Sequence, residues 1–255
     1  MKARIVYLSH GGGPLPLLGD ALHAHMVKFL KQLGTTLPRP KAIVVISAHW
    51  EEAVPTLTSA EYPPLLYDYY GFPRDAYAIR YPASGNPLLA ERIASLVGNA
   101  RLDETRGFDH GMFVPLTLLY PDADIPTIQL SLLSSLSAHE HYAMGEALRP
   151  LLDEEILFIG SGFSFHNMRL FWKEDDEQNH AFQQFLIESC TQPGGEEARK
   201  QALVNWESGP YARYCHPREE HLLPLHVCQG LAGRQAQLIF NKPILKRESV
   251  AFLWS

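Results

Sequence analysis

The sequence predicts a single α/β domain in which a central, mostly parallel sheet is flanked by helices. Short apolar runs rich in β-branched residues alternate with longer segments whose apolar residues recur every three or four positions. That alternation is typical of strands connected by helices. The chain has 255 residues, which suits one large domain, and it contains no internal repeat or clear linker. We therefore expect one domain over residues 1–255.

Six runs are predicted to be strands. The clearest is 42–47, which is apolar throughout and is therefore expected to be covered on both faces of the sheet. The other predicted strands are residues 4–9, 125–132 and 156–160, followed late in the chain by 236–240 and 248–254.

Helices are predicted where apolar residues follow the helical period. The first covers 18–33, and the second opens at Pro87, a residue favoured in the first helical turn. A third follows Ser137 and Glu140, whose spacing fits a capping box, and carries Met144 and Leu148. Two more are expected near 176–190 and 196–206.

Two segments are predicted to be loops. Residues 61–87 contain seven aromatic residues and five prolines, and such a composition indicates an ordered loop because disordered segments are poor in aromatic residues. Residues 107–111 are predicted to form a loop because glycine stands at both ends of the segment.

Composition excludes several classes of protein. The net charge of −6 argues against a nucleic-acid partner. No apolar run approaches the roughly 18 residues that cross a membrane, and no secretory signal is visible, so we expect a cytoplasmic protein. Cys190, Cys215 and Cys228 form neither an even disulfide set nor a zinc knuckle. No oligomeric state follows from the sequence.

Three of the twelve histidines, His10, His49 and His166, lie at or just beyond the ends of predicted strands. Ligands of open α/β sheets bind at the carboxyl ends of the strands, so parallel neighbours would bring these imidazoles together. Glycines at 11–13 and around Ser161 leave room for a close ligand. Because imidazole is the commonest metal ligand, the pattern predicts a zinc or iron site at this edge of the sheet.

Other interpretations of these motifs are weaker. The run His-Gly-Gly-Gly at 10–13 is similar to an esterase oxyanion loop, but the nearest match to a nucleophile elbow, 162–166, ends in histidine instead of glycine. The triple glycine also lacks the Gly-Lys-Ser/Thr of a phosphate-binding loop. We interpret the following histidines as helix-surface, packing or otherwise unpartnered residues: His23, His25, His139, His141, His180, His216 and His226.

Seven short motifs together resemble the 4,5-DOPA dioxygenase extradiol family, within the class III (LigB-type) extradiol ring-cleavage dioxygenases. Ser-Ala-His-Trp and Gly-Phe-Asp-His-Gly are the most specific of them in combination. The first loop departs from the family because it has three glycines before Pro14. The motifs occupy residues 9–14, 38–50, 71–73, 81–83, 107–111, 120–126 and 220–225.

The resemblance implies one non-haem divalent metal, Fe(II) or Zn(II). His10, His49 and His221 would hold it, with His166 beside them either as a fourth ligand or as the acid–base group. Glu220 is a second candidate for the third ligand, because many enzymes of the wider class use two histidines and one carboxylate.

The resemblance also implies the reaction. A catechol such as DOPA and O2 would be the substrates, and both oxygen atoms would enter the opened ring. His166 would act as base and then as acid, and His110 would stabilise developing oxygen charge or steer a proton. A structural alternative for His110 is a hydrogen bond to Asp109 or to the backbone. Two other functions stay open on the same scaffold: a non-catalytic Memo-like binding protein and a zinc-dependent hydrolase.

Overall fold

One sheet contains all eight strands in the part of the chain that the computed structural model describes, residues 4–174 and 176–255. The strands are β1 (Arg4–Ser9), β2 (Ala42–Glu52), β3 (Thr56–Thr58), β4 (Arg101–Asp103), β5 (Thr127–Leu133), β6 (Ile156–Gly162), β7 (Gln237–Ile244) and β8 (Arg247–Trp254). Their order across the sheet is β4-β3-β5-β2-β6-β1-β8-β7.

The four central strands, β5, β2, β6 and β1, run parallel to one another. At the centre, Val44 lies between Ile128 and Phe158, and all three side chains are buried. Antiparallel strands flank this centre, with β3 against β5 and the hairpin of β7 and β8 against β1. The predicted α/β fold with a mostly parallel sheet is confirmed.

The helices cover the faces of the sheet. They are α1 (Ala24–Thr36), α2 (Pro87–Val97), α3 (His110–Leu119), α4 (Ala138–Ala147), α5 (Glu177–Thr191), α6 (Glu196–Val204), α7 (Ala212–Cys215) and α8 (Leu223–Ala232). Half of the predicted capping box is present: the Ser137 side chain accepts a hydrogen bond from the Glu140 amide at 3.3 Å, whereas the Glu140 carboxylate bonds to Ser135 and not to the Ser137 amide. Among the described residues, we find no helix with the length and apolar character needed to cross a membrane.

Two predicted helices were too long. The first segment starts with short 3₁₀ turns, and α1 begins only at Ala24, because Gly19 is left-handed (φ 78°) and Asp20 starts a new turn. Similarly, α4 ends at Ala147, and Leu148 lies beyond it, before a 3₁₀ turn that contains Pro150. Proline disrupts a continuing α-helix, which explains the early end.

The predicted loop at 107–111 was also too long, because α3 begins at His110. Nine of the ten residues in α3 are buried and Pro115 lies inside it, so it has no amphipathic stripe that a sequence pattern could reveal. Strand β2 in turn continues past its predicted end to Glu52, with a register shift against β5 between Ile46 and Glu51. His49 lies in this irregular stretch.

Candidate metal centre

Three histidines from distant parts of the chain meet at the carboxyl end of the parallel strands. His10 directly follows β1, His49 lies in the irregular part of β2, and His221 lies two residues before α8. The Nε2 atoms of His10 and His49 are 3.0 Å apart, and those of His49 and His221 are 3.3 Å apart. His10 and His221 are buried, and His49 is partly exposed. These three residues are called the histidine cluster below.

Neighbouring groups fix how two of these rings present their nitrogens. The Ser161 hydroxyl donates to the Gly111 carbonyl, so its oxygen accepts from His10 Nδ1 at 3.1 Å. A carboxylate only accepts, so His221 Nδ1 donates to Glu220 Oε1 at 2.9 Å. In both neutral rings Nε2 therefore carries a lone pair directed at the cluster. Such outer hydrogen bonds are typical of metal-ligating histidines.

The charge state of the cluster also suits a cation. Burial, together with the other histidines nearby, holds the pKa of His10 and of His49 well below the ordinary histidine value. Burial and His166 lower the pKa of His221 to about 3. Nitrogen separations of 3.0 and 3.3 Å match two ligands bound about 2.0–2.1 Å from one ion. The three histidines therefore fit a divalent metal.

His166 lies beside this cluster. Its ring stacks on that of His221, with centroids 3.4 Å apart and planes 15° apart. Its Nδ1 lies 3.1 Å from Glu220 Oε1, the same oxygen that accepts from His221. His166 thus groups with Glu220 and His221, and His221 also belongs to the group with His10 and His49, in which the ligand atoms lie within 4.8 Å of one another.

Glu220 links two imidazoles and an arginine. Burial alone would raise the pKa of Glu220, but the hydrogen bonds with His166 and His221 outweigh burial and hold the pKa well below its usual range. Its other oxygen lies 3.3 Å from Arg218. Glu220 is therefore an ionised acceptor that orients histidines, and its Oε1 is already occupied by two of them.

His110 is held by Asp68, a residue that the sequence analysis missed. Asp68 Oδ1 accepts from the backbone amide of His110 at 3.0 Å and from its Nδ1 at 2.8 Å. Burial would raise the pKa of Asp68, but these bonds with His110 outweigh it and lower the pKa. The His110 ring packs 3.9 Å from that of His49. The side-chain partner of His110 is thus Asp68, and the hydrogen bond to Asp109 considered above is not formed.

Asp109 instead anchors the backbone behind the cluster. It is fully buried, and its carboxylate accepts from Ser47 Oγ at 2.8 Å, from Arg106 at 3.1 Å and from Gln129. Burial, followed by the nearby Asp68, raises the pKa of Asp109. Arg106 also donates to the His49 carbonyl at 3.3 Å. This network joins β2, β5 and the start of α3, and so positions both His49 and His110.

His23 supports the glycine loop after His10. The Gly12 amide donates to His23 Nε2 at 3.0 Å, and His23 Nδ1 donates to Asp20 at 2.7 Å. Gly11 has φ +82°, and a Cβ there would lie 2.9 Å from the His23 ring, so both conformation and space require glycine. His23 is therefore a buried packing residue, as expected.

Of the six remaining histidines, three are buried with backbone partners and three are exposed. His141 accepts from the Leu133 amide at 3.0 Å, and His216 and His226 contact backbone carbonyl groups. His25 and His139 are exposed, and His180 is exposed and pairs with Glu248 at 2.7 Å.

A cavity of about 430 Å³ opens over the histidine cluster. The five histidines His10, His49, His110, His166 and His221 form its polar part together with Asp68. The predicted aromatic loop contributes Tyr69, Tyr70 and Phe72, and the segment after β6 contributes Phe163, Met168, Phe171 and Trp172. The cavity therefore joins histidines whose geometry fits a metal ion to aromatic walls that suit a flat ring.

Comparison with known proteins agrees with this arrangement. Residues 6–251 match the family described as the catalytic LigB subunit of aromatic ring-opening dioxygenase. A dioxygenase of Hapsidospora irregularis, tasH, is 40% identical, with 92% of this chain and 80% of that protein covered. The 4,5-DOPA dioxygenase extradiol of Beta vulgaris is 38% identical (92% and 90% covered), and that of Escherichia coli K12 is 39% identical (88% and 83% covered).

A solved structure supports the same relationship. The crystal structure of an uncharacterized protein from Escherichia coli K12 superposes with a TM-score of 0.81 at 32% identity and covers 99% of both chains. These similarities place the chain among the aromatic ring-cleaving dioxygenases, which are oxidoreductases. More particularly, the chain belongs to the LigB family. The resemblance found in the sequence is confirmed.

Proposed function

We propose that this protein is a metal-dependent extradiol dioxygenase that opens the ring of a catechol with O2. The observation that carries the proposal is the convergence of three histidine Nε2 atoms at one end of a cavity with aromatic walls. DOPA, which the names of the Beta vulgaris and Escherichia coli relatives contain, is the first catechol to test.

His10, His49 and His221 would hold the metal. Fe(II) held there would supply electron transfer between the substrate and O2 and would lower the pKa of a bound hydroxyl. Zinc has no redox chemistry, so we propose iron as the metal of this reaction. Ser161 and Glu220 would keep two of the ligand rings in the correct tautomer.

His166 would move the substrate's protons. Its Nδ1 faces the Glu220 carboxylate and donates to it, so in the neutral ring Nε2 is the free base. Nε2 would accept a proton from a catechol hydroxyl and later return it to a product oxygen. Glu220 is a positioning residue in this scheme, because it fixes the ring of His166 through a single oxygen.

His110 would stabilise the negative charge that develops on the substrate during the reaction. Its Nδ1 is bound to Asp68, and this bond holds the ring in place, so that the protonated form could donate from its second nitrogen. Nε2–H of that ring would donate a hydrogen bond to the substrate oxygen on which charge accumulates, which is the usual role of a preorganised donor.

The direct test is oxygen uptake. Protein loaded anaerobically with Fe(II) should consume one O2 per catechol or DOPA and form a yellow ring-cleavage product, whereas zinc-loaded protein should consume none. Absence of uptake with every catechol would overturn the proposal. Hydrolysis of a small ester or amide by the zinc form would then favour a hydrolase, and binding without turnover would favour a Memo-like binding protein.

The close contact between β6 and the loop that carries His221 gives a further prediction. A Cβ on Gly162 would lie 2.1 Å from the His221 carbonyl oxygen, which accepts bonds from the Phe163 amide and the Tyr7 hydroxyl. Gly162→Ala should therefore displace His221, lower metal affinity at least tenfold and reduce the free energy of unfolding by about 1–3 kcal/mol. Calorimetric metal titration and urea denaturation measure the two effects.

Gly34→Ala is the matched control for Gly162→Ala. A Cβ on Gly34 would lie 2.1 Å from the Leu119 carbonyl oxygen, between α1 and the far end of α3. This variant should lose comparable stability and keep its metal affinity. Equal metal affinities in the two variants would contradict the assignment of His221 as a ligand.

A further inference from the structure

The residues that line the cavity above the histidine cluster indicate which kind of substituent the catechol carries. Building on the proposed function, we propose that the preferred substrate is a catechol with an uncharged, apolar side chain, in preference to an amino acid such as DOPA. The proposal depends on where the cavity's polar groups lie and on what forms its rim.

Polar groups are concentrated at the floor of the cavity. The histidines and Asp68 surround the point where the catechol oxygens would bind. The rest of the lining consists of aromatic and aliphatic side chains, among them Phe72, Phe163 and Phe171, and of the glycines at 11–13. A ring bound through its two oxygens would therefore direct its substituent along an apolar surface.

The rim itself is apolar and open to water. Tyr70, Met168 and Trp172 line the cavity although they are 92%, 67% and 59% exposed. Large apolar side chains grouped at the mouth of a cavity are typical of a surface that a ligand covers. A hydrophobic substituent would remove this surface from water, whereas a charged one would gain nothing from it.

No charged partner is available for the amino-acid group of DOPA among the described residues that line the cavity. None of them is lysine or arginine, the residues that bind carboxylates in protein sites. Asp68 is the only carboxylate, and it lies beside the histidines, with Oδ1 bound to His110 and Oδ2 3.8 Å from His49 Nδ1. A DOPA side chain that extends away from the histidines would therefore meet apolar groups, with no lysine or arginine to pair with its carboxylate.

Among the described residues, two arginines that touch site residues, Arg106 and Arg218, are already paired. Arg106 binds Asp109 and lies 4.5 Å from the Trp50 ring. Arg218 makes two hydrogen bonds of 2.6 Å to Glu51 and lies 3.3 Å from Glu220. Redirecting either one to a substrate carboxylate would break bonds that hold the site together.

The test compares substituents of matched size. Iron-loaded enzyme is assayed with 4-methyl-, 4-ethyl- and 4-propylcatechol, with dopamine, whose side chain matches propyl in size, and with DOPA. We expect kcat/KM to rise up to about fourfold for each added methylene. Dopamine and DOPA should be at least tenfold poorer than 4-propylcatechol.

Substitutions at the rim test whether its apolar side chains cause the rise of kcat/KM with each added methylene. Trp172→Ala and Met168→Ala should reduce the gain per methylene, while Leu88→Ala, which removes a 74% exposed side chain on α2, should leave the whole series unchanged.

A binding measurement without turnover accompanies these assays. Anaerobic titration should quench tryptophan fluorescence most strongly with 4-propylcatechol, and Trp172→Phe should remove most of this signal.

The outcomes separate the two proposals. If 4-methylcatechol is cleaved but DOPA or dopamine equals 4-propylcatechol, the apolar-substituent proposal is overturned and the dioxygenase proposal stands. If no catechol consumes O2, the dioxygenase proposal fails. In that case, equal affinities across the fluorescence series would overturn the substituent proposal as well.

Discussion

Replacing His10 or His49 with alanine is expected to abolish binding of divalent metal and, with it, all ring cleavage. Each change removes one of three nitrogens that lie 3.0–3.3 Å from a neighbour in the cluster, so the remaining two histidines form an incomplete site. Metal analysis after anaerobic loading and gel filtration measures the first effect, and oxygen uptake measures the second. His139→Ala, which removes an exposed histidine on α4, is the control and should keep stoichiometric metal.

The same measurement decides the identity of the third ligand. His221→Ala should lose metal, whereas Glu220→Ala should retain it, because the Oε1 atom of Glu220 already accepts from two imidazoles. Retention of metal by His221→Ala and its loss in Glu220→Ala would restore the two-histidine, one-carboxylate site. Stoichiometric metal in both His10→Ala and His49→Ala would place the metal elsewhere.

The second large effect is expected at His166. His166→Ala should keep its metal and still bind catechol, yet lose turnover by about 10²–10⁴-fold, the range typical of a general acid–base group. The structure favours this outcome because His166 Nδ1 is bound to Glu220, beside the histidine cluster. Single-turnover oxygen uptake measures the rate, and calorimetry under anaerobic conditions measures catechol binding.

Two other results would reassign His166. Loss of metal affinity together with catechol binding would identify it as an obligatory fourth ligand. Intact metal with unimpaired turnover would exclude both roles. His180→Ala, which changes an exposed histidine paired with Glu248, should behave as the unmodified protein in all three measurements.

The central strands and the meeting of His10 with His49 were predictable from the sequence. Both follow from one physical rule: apolar β-branched runs form the buried parallel strands, and residues at their carboxyl ends share one edge. His221 followed only from the family resemblance. It lies before α8, whose ten residues are all buried, so neither a strand end nor an amphipathic stripe marks its position.

The partners of the site histidines were not predictable. Ser161 is 151 residues from His10, and Asp68 is 42 residues from His110. Such contacts depend on the order of strands across the sheet, which the sequence does not encode locally. The signal for Asp109 was present in the Gly-Phe-Asp-His-Gly motif, but its role as a buried acceptor for Ser47, Arg106 and Gln129 requires three segments to be placed first.

The histidine cluster also connects ion binding to folding. His10 and His49 are 39 residues apart, and His49 and His221 are 172 residues apart, so the cluster exists only when the chain has assembled from end to end. An ion held there would bind the native state and not the unfolded chain. Each tenfold increase in free ion above its dissociation constant would then add about 1.4 kcal/mol to the free energy of unfolding. The ion would thus stabilise the fold of the whole sheet. Its removal would lower the melting temperature even of a catalytically inactive variant.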